Sequence, residues 1–227
     1  GYLNNKRVAF ISRHGLNHRL LPSEVPSRAN IWALKLVNVN RIISISSVGS
    51  LDKNIAPLDF VIPDQLVDRT RMRQSTFFGN GVVAHIPFAT PFCPALSQRT
   101  ADTLETIGAR VIRGGTCVVI EGPAFSTRAE SLLYRAWNAN IISMTTLPEA
   151  KLAREAEICY CTMAAVTDYD CWQDDEKIAV NVEAVVQNMR SNVQTAIEAV
   201  TKLMLDSRPG GTCYCNHSLD GAIMTSK

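Results

Sequence analysis

The chain has 227 residues, of which 46% are apolar and 19% charged, with a formal net charge of +2. That length can close one sizeable core, and that balance excludes a disordered chain. The small charge leaves no electrostatic footprint for nucleic acid or a membrane surface, and no apolar run approaches the ~20 residues that span a bilayer.

The chain opens on Gly1, and no basic, apolar, small-residue leader is visible, so a signal peptide is not expected. A strand is expected at once, over residues 8–12. A helix should follow over 23–37, carrying Trp32 and Leu34, and then a strand over 41–47. Further strands are expected at 60–63, 116–121, 141–143 and 159–167. Several are continuous apolar runs, as strands covered on both faces should be. A helix over 94–107 is ended by Gly108. Thr127 and Glu130 have the spacing of a capping box, so a helix should run to about Trp137. Thr146 and Glu149 repeat that spacing, with Pro148 in the first turn where no donor is lost. The last helix carries Val182, Val185, Val186, Met189, Val193, Ile197, Val200 and Met204 at spacings of three and four, an apolar stripe. Pro209-Gly210-Gly211 then breaks the chain. The alternation of strand and helix predicts one α/β domain over residues 1–207 with a polar tail over 208–227.

Three strand ends carry groups suited to chemistry. Ser12-Arg13-His14-Gly15 offers a guanidinium fork and an imidazole after the first strand, a pairing that suits phosphate; an exposed loop with chance charges reads equally well. Ser46-Ser47-Val48-Gly49-Ser50 lets backbone amides approach an anion, although such a turn alone is more often only a turn. Thr167-Asp168-Tyr169-Asp170 places two carboxylates at i and i+2, a pair that can hold one acid protonated; a solvated Asp-rich turn is the plainer reading. His85, Phe125 and Met144 would ordinarily be structural. Of the seven cysteines, Cys93, Cys117, Cys159, Cys161 and Cys171 sit in or beside apolar stretches and read as buried free thiols in a reducing compartment. Cys213-Tyr214-Cys215, with His217 nearby, is a weak zinc signal without a second cluster, and a redox or stability feature is preferred to a metal.

Taken in order, these segments resemble the methylthioadenosine phosphorylases, a family of nucleoside phosphorylases. The resemblance runs through Ser12-Arg13-His14-Gly15, Arg28 to Lys35, Gly49-Ser50, Pro91 to Pro94, Ile120 to Pro123, Phe125 to Ser131, Met144 to Thr146 and Thr167 to Trp172, and spans about residues 7 to 205. It implies a single domain with a central mixed, partly barrel-like β-sheet flanked by helices, assembled as a homotrimer in the cytoplasm. Arg13, His14, Ser46, Ser47 and Thr145 stand where the family holds phosphate. Met144 stands where the ribose is contacted, and Phe125 where the purine packs. Asp168 and Asp170 match the purine-binding acids, with Asp168 as the catalytic one. Val182, Val185 and Val186 match the 5′-methylthio pocket, and His85 a residue that reaches into a neighbouring subunit. The family's N-terminal strand and Gly-rich phosphate loop have no match here. Ser47 stands where relatives often carry Ala, and Val186 replaces a larger aliphatic residue. The Cys213–Cys215 pair is similar to one in some archaeal members.

The implied reaction is phosphorolysis of methylthioadenosine to adenine and 5-methylthioribose 1-phosphate, in purine and methionine salvage. Phosphate is a co-substrate; no cofactor or metal is implied. Phosphate would trap a cation-like sugar while Asp168 protonates the purine N7, a general-acid contribution of about 10²–10⁴-fold. Asp170 should accept from a 6-amino group and repel a 6-oxo group. Two alternatives stay open: a purine nucleoside phosphorylase of other specificity (methylthioinosine, inosine, guanosine or adenosine), and a non-catalytic nucleoside-binding fragment.

Overall fold

A computed structural model describes residues 1–3, 5–173, 182–206 and 213–225, without the side chains of residues 182–184. In chain order the elements are β1 (Tyr2–Leu3), β2 (Lys6–Arg7), α1 (Ser27–Leu36), β3 (Arg41–Ser50), β4 (Phe60–Ile62), β5 (Gln65–Arg69), α2 (Pro94–Thr106), β6 (Val111–Arg113), β7 (Thr116–Ile120), α3 (Arg128–Ala136), β8 (Ile141–Ser143), α4 (Thr146–Glu155), β9 (Cys159–Tyr169) and α5 (Val182–Leu205). Seven strands form one mixed sheet in the order β5-β7-β8-β3-β9-β4-β6. The long strands β3 and β9 run parallel down its middle, and β8 and β4 run antiparallel to them on either side.

Side-chain alternation along a strand sends successive residues to opposite faces. On β9, Ala164 and Val166 face a core built with Ile31 of α1 and Leu147, Ala150 and Ala153 of α4. Met163 and Ala165 face the other, built with Leu96 and Leu104 of α2 and Ala196, Ala199 and Leu203 of α5. A third cluster seats Tyr134 of α3 against Val118 and Ile142. The apolar run of the central strands is thus explained by helices on both sides of the sheet.

Four expectations are corrected. Residues 8–12 form no strand, and Phe10 is 88% exposed; apolar character without a neighbouring strand edge does not make a ladder. The capping box at Thr127 forms as expected, but the one at Thr146 does not: Glu149 is drawn inward to Arg13, and the helix bends at Leu147. On α5 the buried face is Asn192, Ala196, Ala199 and Leu203, while Met189, Val193 and Ile197 of the expected stripe are exposed. Small residues on that face let α5 lie close against β9. Finally, residues 213–225 of the expected polar tail lie on the domain: Cys215, Ser218 and Ala222 are buried, and Ala84 bridges Ile223.

Candidate active site

Strand β3 is the spine of the site. Its ladder with β8 is confined to Gly49 and Ser50, so from Val48 backwards β3 and β8 no longer pair. The turn that leaves β8, Met144 to Thr146, runs alongside that unpaired stretch. There the Ser46 hydroxyl meets the Thr145 hydroxyl at 3.0 Å, and the Thr145 amide donates to Ser143 Oγ at 3.2 Å. Two hydroxyls, an unpaired strand edge and the start of a helix are what an anion site is built from. Ser47 is different. It is exposed and alternates with Ser46 to the opposite face, so it could meet an anion on the Thr145 side only through its backbone.

Arg13 reaches the same strand two residues earlier. Its Nε donates to Glu149 Oε1 at 2.5 Å, Nη2 donates to Glu149 Oε2 at 3.1 Å and to Ser44 Oγ, and Nη1 donates to the Ile45 carbonyl at 3.2 Å. Four of its five N–H donors are therefore engaged within the protein. Glu149 also accepts from Tyr160 Oη at 2.9 Å. His14 lies beside this array, with Nδ1 2.8 Å from the Leu20 carbonyl and its ring stacked on His18 at 4.2 Å. Burial pulls the His14 pKa below its usual value, which favours a neutral ring.

Beyond Ser46, β3 meets the two acids. A Cβ on Gly49 would lie 3.5 Å from Asp168 Oδ2 and 3.6 Å from Asp170 Cβ, so both acids share the Gly49 side of the sheet. Burial pushes the Asp168 pKa up to about 6; the Thr167 hydroxyl, donating at 2.5 Å, opposes this, and the Asp170 charge adds to it. Asp170 is buried, its pKa is also raised by burial, and its Oδ2 has no hydrogen-bond partner. A buried acceptor without a donor is a place for a ligand's N–H.

The remaining expected residues surround this axis. Phe125 is 59% exposed on the loop 121–127, and the carbonyl of its neighbour Ser126 accepts from Cys171 Sγ. Gly122, at φ +67°, brings that loop against Met144; a Cβ there would meet the Met144 sulfur at 2.6 Å. Asn188 of α5 donates to the Thr167 carbonyl at 2.8 Å, which sets the N-terminal turns of α5 beside the acids. Val185 is half-buried one turn before Asn188, and Val186 is 36% exposed. The side chain of Val182 lies outside the described residues. His85 is exposed, on the segment held to Ala222 by its own amide. Two open cavities among the described residues, of about 380 and 280 Å³, are lined by other residues.

Two residues escaped the sequence reading. Glu149 looked like a cap. Arg73, whose side chain is 4% exposed, donates to the Met144 and Leu147 carbonyls at 2.5 and 2.7 Å and to the Glu121 carbonyl and carboxylate at 2.5 and 3.0 Å. It ties the Thr145 turn to the Phe125 loop. An arginine in a polar stretch gives no sequence signal for such long-range contacts.

Residues 1–203 match the model of the family described as Phosphorylase superfamily. The chain is 49% identical to a Koribacter versatilis protein named S-methyl-5′-thioadenosine phosphorylase, over all of this chain and 77% of the relative. A crystal structure of a methylthioadenosine phosphorylase sourced from an antarctic soil metagenomic library superposes with a TM-score of 0.93 at 46% identity, covering 100% of this chain and 80% of that one. A methylthioadenosine phosphorylase from Schistosoma mansoni in complex with adenine superposes with a TM-score of 0.87 at 31% identity, covering 93% and 82%. With the mixed sheet and the β3 axis already in place, these matches assign the chain to the phosphorylase superfamily, among its S-methyl-5′-thioadenosine phosphorylases.

Proposed function

We propose that this chain catalyses phosphorolysis of 5′-methylthioadenosine to adenine and 5-methylthioribose 1-phosphate, with inorganic phosphate as co-substrate and no cofactor. The observation that carries the reading is the spacing along β3. The Ser46–Thr145 hydroxyl pair and the protonatable Asp168 beside Gly49 are separated by three residues, about 10 Å of strand. That interval suits a phosphate at one end, a ribose between, and a purine at the other. Phosphate held by Ser46, Thr145, the backbone at Ser47 and the edge of the Arg13–His14 array attacks C1′. Asp168 gives its proton to N7, so adenine leaves neutral. Phe125 and Met144 cover base and ribose, Asp170 accepts from the 6-amino group, and Val182, Val185 and Val186 receive the thioether. The Schistosoma relative's complex with adenine agrees with the base assigned here.

The reading includes a cytoplasmic homotrimer acting in purine and methionine salvage, with His85 serving a neighbouring subunit. The exposed apolar row Met189, Val193 and Ile197 on α5 supports an assembled state, since so much apolar surface on one helix face favours burial. Among the described residues no helix is long and apolar enough to cross a membrane. The decisive assay is adenine release from methylthioadenosine with and without phosphate, run beside methylthioinosine. Phosphate-dependent release and a roughly 10⁴-fold preference for the 6-amino substrate are expected. Equal kcat/KM on both substrates would remove Asp170 from its role, and phosphate-independent release would remove the reaction.

A further inference from the structure

At the far end of β9 from the acids, four cysteines from three separate parts of the chain converge. Cys93 immediately precedes α2, Cys159 opens β9, and Cys213 and Cys215 come from the C-terminal segment. Their four sulfurs all lie within 4.8 Å of one another, the Cys159 and Cys213 sulfurs at 3.4 Å. We propose that Cys93, Cys159, Cys213 and Cys215 form a structural tetrathiolate site for Zn²⁺.

A tetrahedral Zn²⁺ with bonds of ~2.3 Å sets its four sulfurs about 3.8 Å apart. The observed separations bracket that value, so small side-chain adjustments complete the sphere. Convergence of all four on one point is the geometry of a shared cation. All four are free thiols, and the 3.4 Å between the Cys159 and Cys213 sulfurs is longer than the roughly 2.0 Å of a disulfide. The surroundings fit the charge. Four thiolates and Zn²⁺ carry a net −2, and Arg41 lines the adjoining cavity together with Arg99, which is paired with Asp206 at 3.1 Å. Cys93 is the residue immediately before α2, at the positive end of the helix dipole. The cavity also gives the ion a way in. Binding releases the thiol protons and involves no change of oxidation state.

Four protein ligands leave no open coordination position, which makes the site structural. It also lies nine residues of β9, about 30 Å, from Asp168. What it would hold is the C-terminal segment. Beyond Cys215 that segment closes on residues 83–85: Met224 N–H donates to the Val83 carbonyl at 2.8 Å, and His85 N–H donates to Ala222 at 2.9 Å. The sequence expectation of no metal rested on Cys213, Cys215 and His217 alone. Cys93 and Cys159 are the missing second cluster, and only the fold brings them in.

The whole chain, purified under reducing conditions without added metal, should hold about one zinc per chain by mass spectrometry of the elements. After exchange into Co²⁺ it should show the thiolate-to-cobalt charge-transfer band of a tetrathiolate. Cys213→Ser with Cys215→Ser should lower zinc below a tenth of an equivalent and speed hydrogen exchange at the His85 amide at least tenfold. If that variant fails to fold, the cobalt spectrum of the unaltered chain carries the test. Unaltered, fully reduced protein that takes up neither ion overturns the proposal. So does the paired variant retaining its zinc.

Discussion

Asp168→Asn tests the acid at the centre of the reaction in two ways at once. Burial raises the Asp168 pKa from 3.8 to about 6. Between those values the folded chain binds a proton that the unfolded chain has lost, so stability falls as pH rises from about 4 to 6 and stays lowered above. Two units correspond to about 3 kcal/mol. Asparagine carries no charge and keeps the shape, so at pH 7.5 the variant should be more stable by up to ~3 kcal/mol, a gain that vanishes near pH 4. Catalysis should move the other way. Asn can donate a hydrogen bond to N7 but not a proton, and kcat should fall about 10²–10⁴-fold. The unaltered chain should also lose activity as pH rises above about 6, and the variant should lose that limb. Adenine release between pH 5 and 9 and urea unfolding at pH 4 and 7.5 measure both effects. A variant that is no more stable at pH 7.5, with kcat within threefold of the parent, would show that Asp168 is ionised, solvated and idle.

Two further substitutions probe the frame of the site. Glu149→Ala leaves the half-buried Arg13 guanidinium without its counter-charge and should cost up to about 3–5 kcal/mol in urea unfolding; a loss under 1 kcal/mol would mean that Arg13 simply turns to water. Gly49→Ala places a methyl 3.0 Å from Ile142 Cγ2 and against Asp168, so it should cost about 1–3 kcal/mol and depress kcat. Unchanged kcat would separate Asp168 from the β3 axis.

Much of the frame was legible because its signals are local. The apolar runs of β3, β8 and β9 and the Thr127–Glu130 cap depend on neighbours within a few residues, and each formed. The motif Thr167 to Asp170 lies at a strand end, and the structure shows how two acids two residues apart come to share the Gly49 side. What stayed hidden depends on partners far along the chain. The run at residues 8–12 lacks a partner strand. Strands β5 and β6 are short and gain their definition from β7 and β4. Glu149 has cap spacing, yet 136 residues separate it from the arginine that claims it. The α5 stripe misleads because its large apolar residues have the spacing of a buried face, whereas close approach to β9 selects alanines.

The sharing of Arg13 has a consequence for how the site meets its anion. A guanidinium already joined to Glu149 presents almost no net charge to solvent. An approaching phosphate is then not drawn in by a long-range field, and its recognition falls to groups that act only on contact: the hydroxyls, the amides and the remaining Arg13 donor. Binding governed this way should vary little with ionic strength. It should also let the sugar phosphate go as readily as its inorganic precursor came.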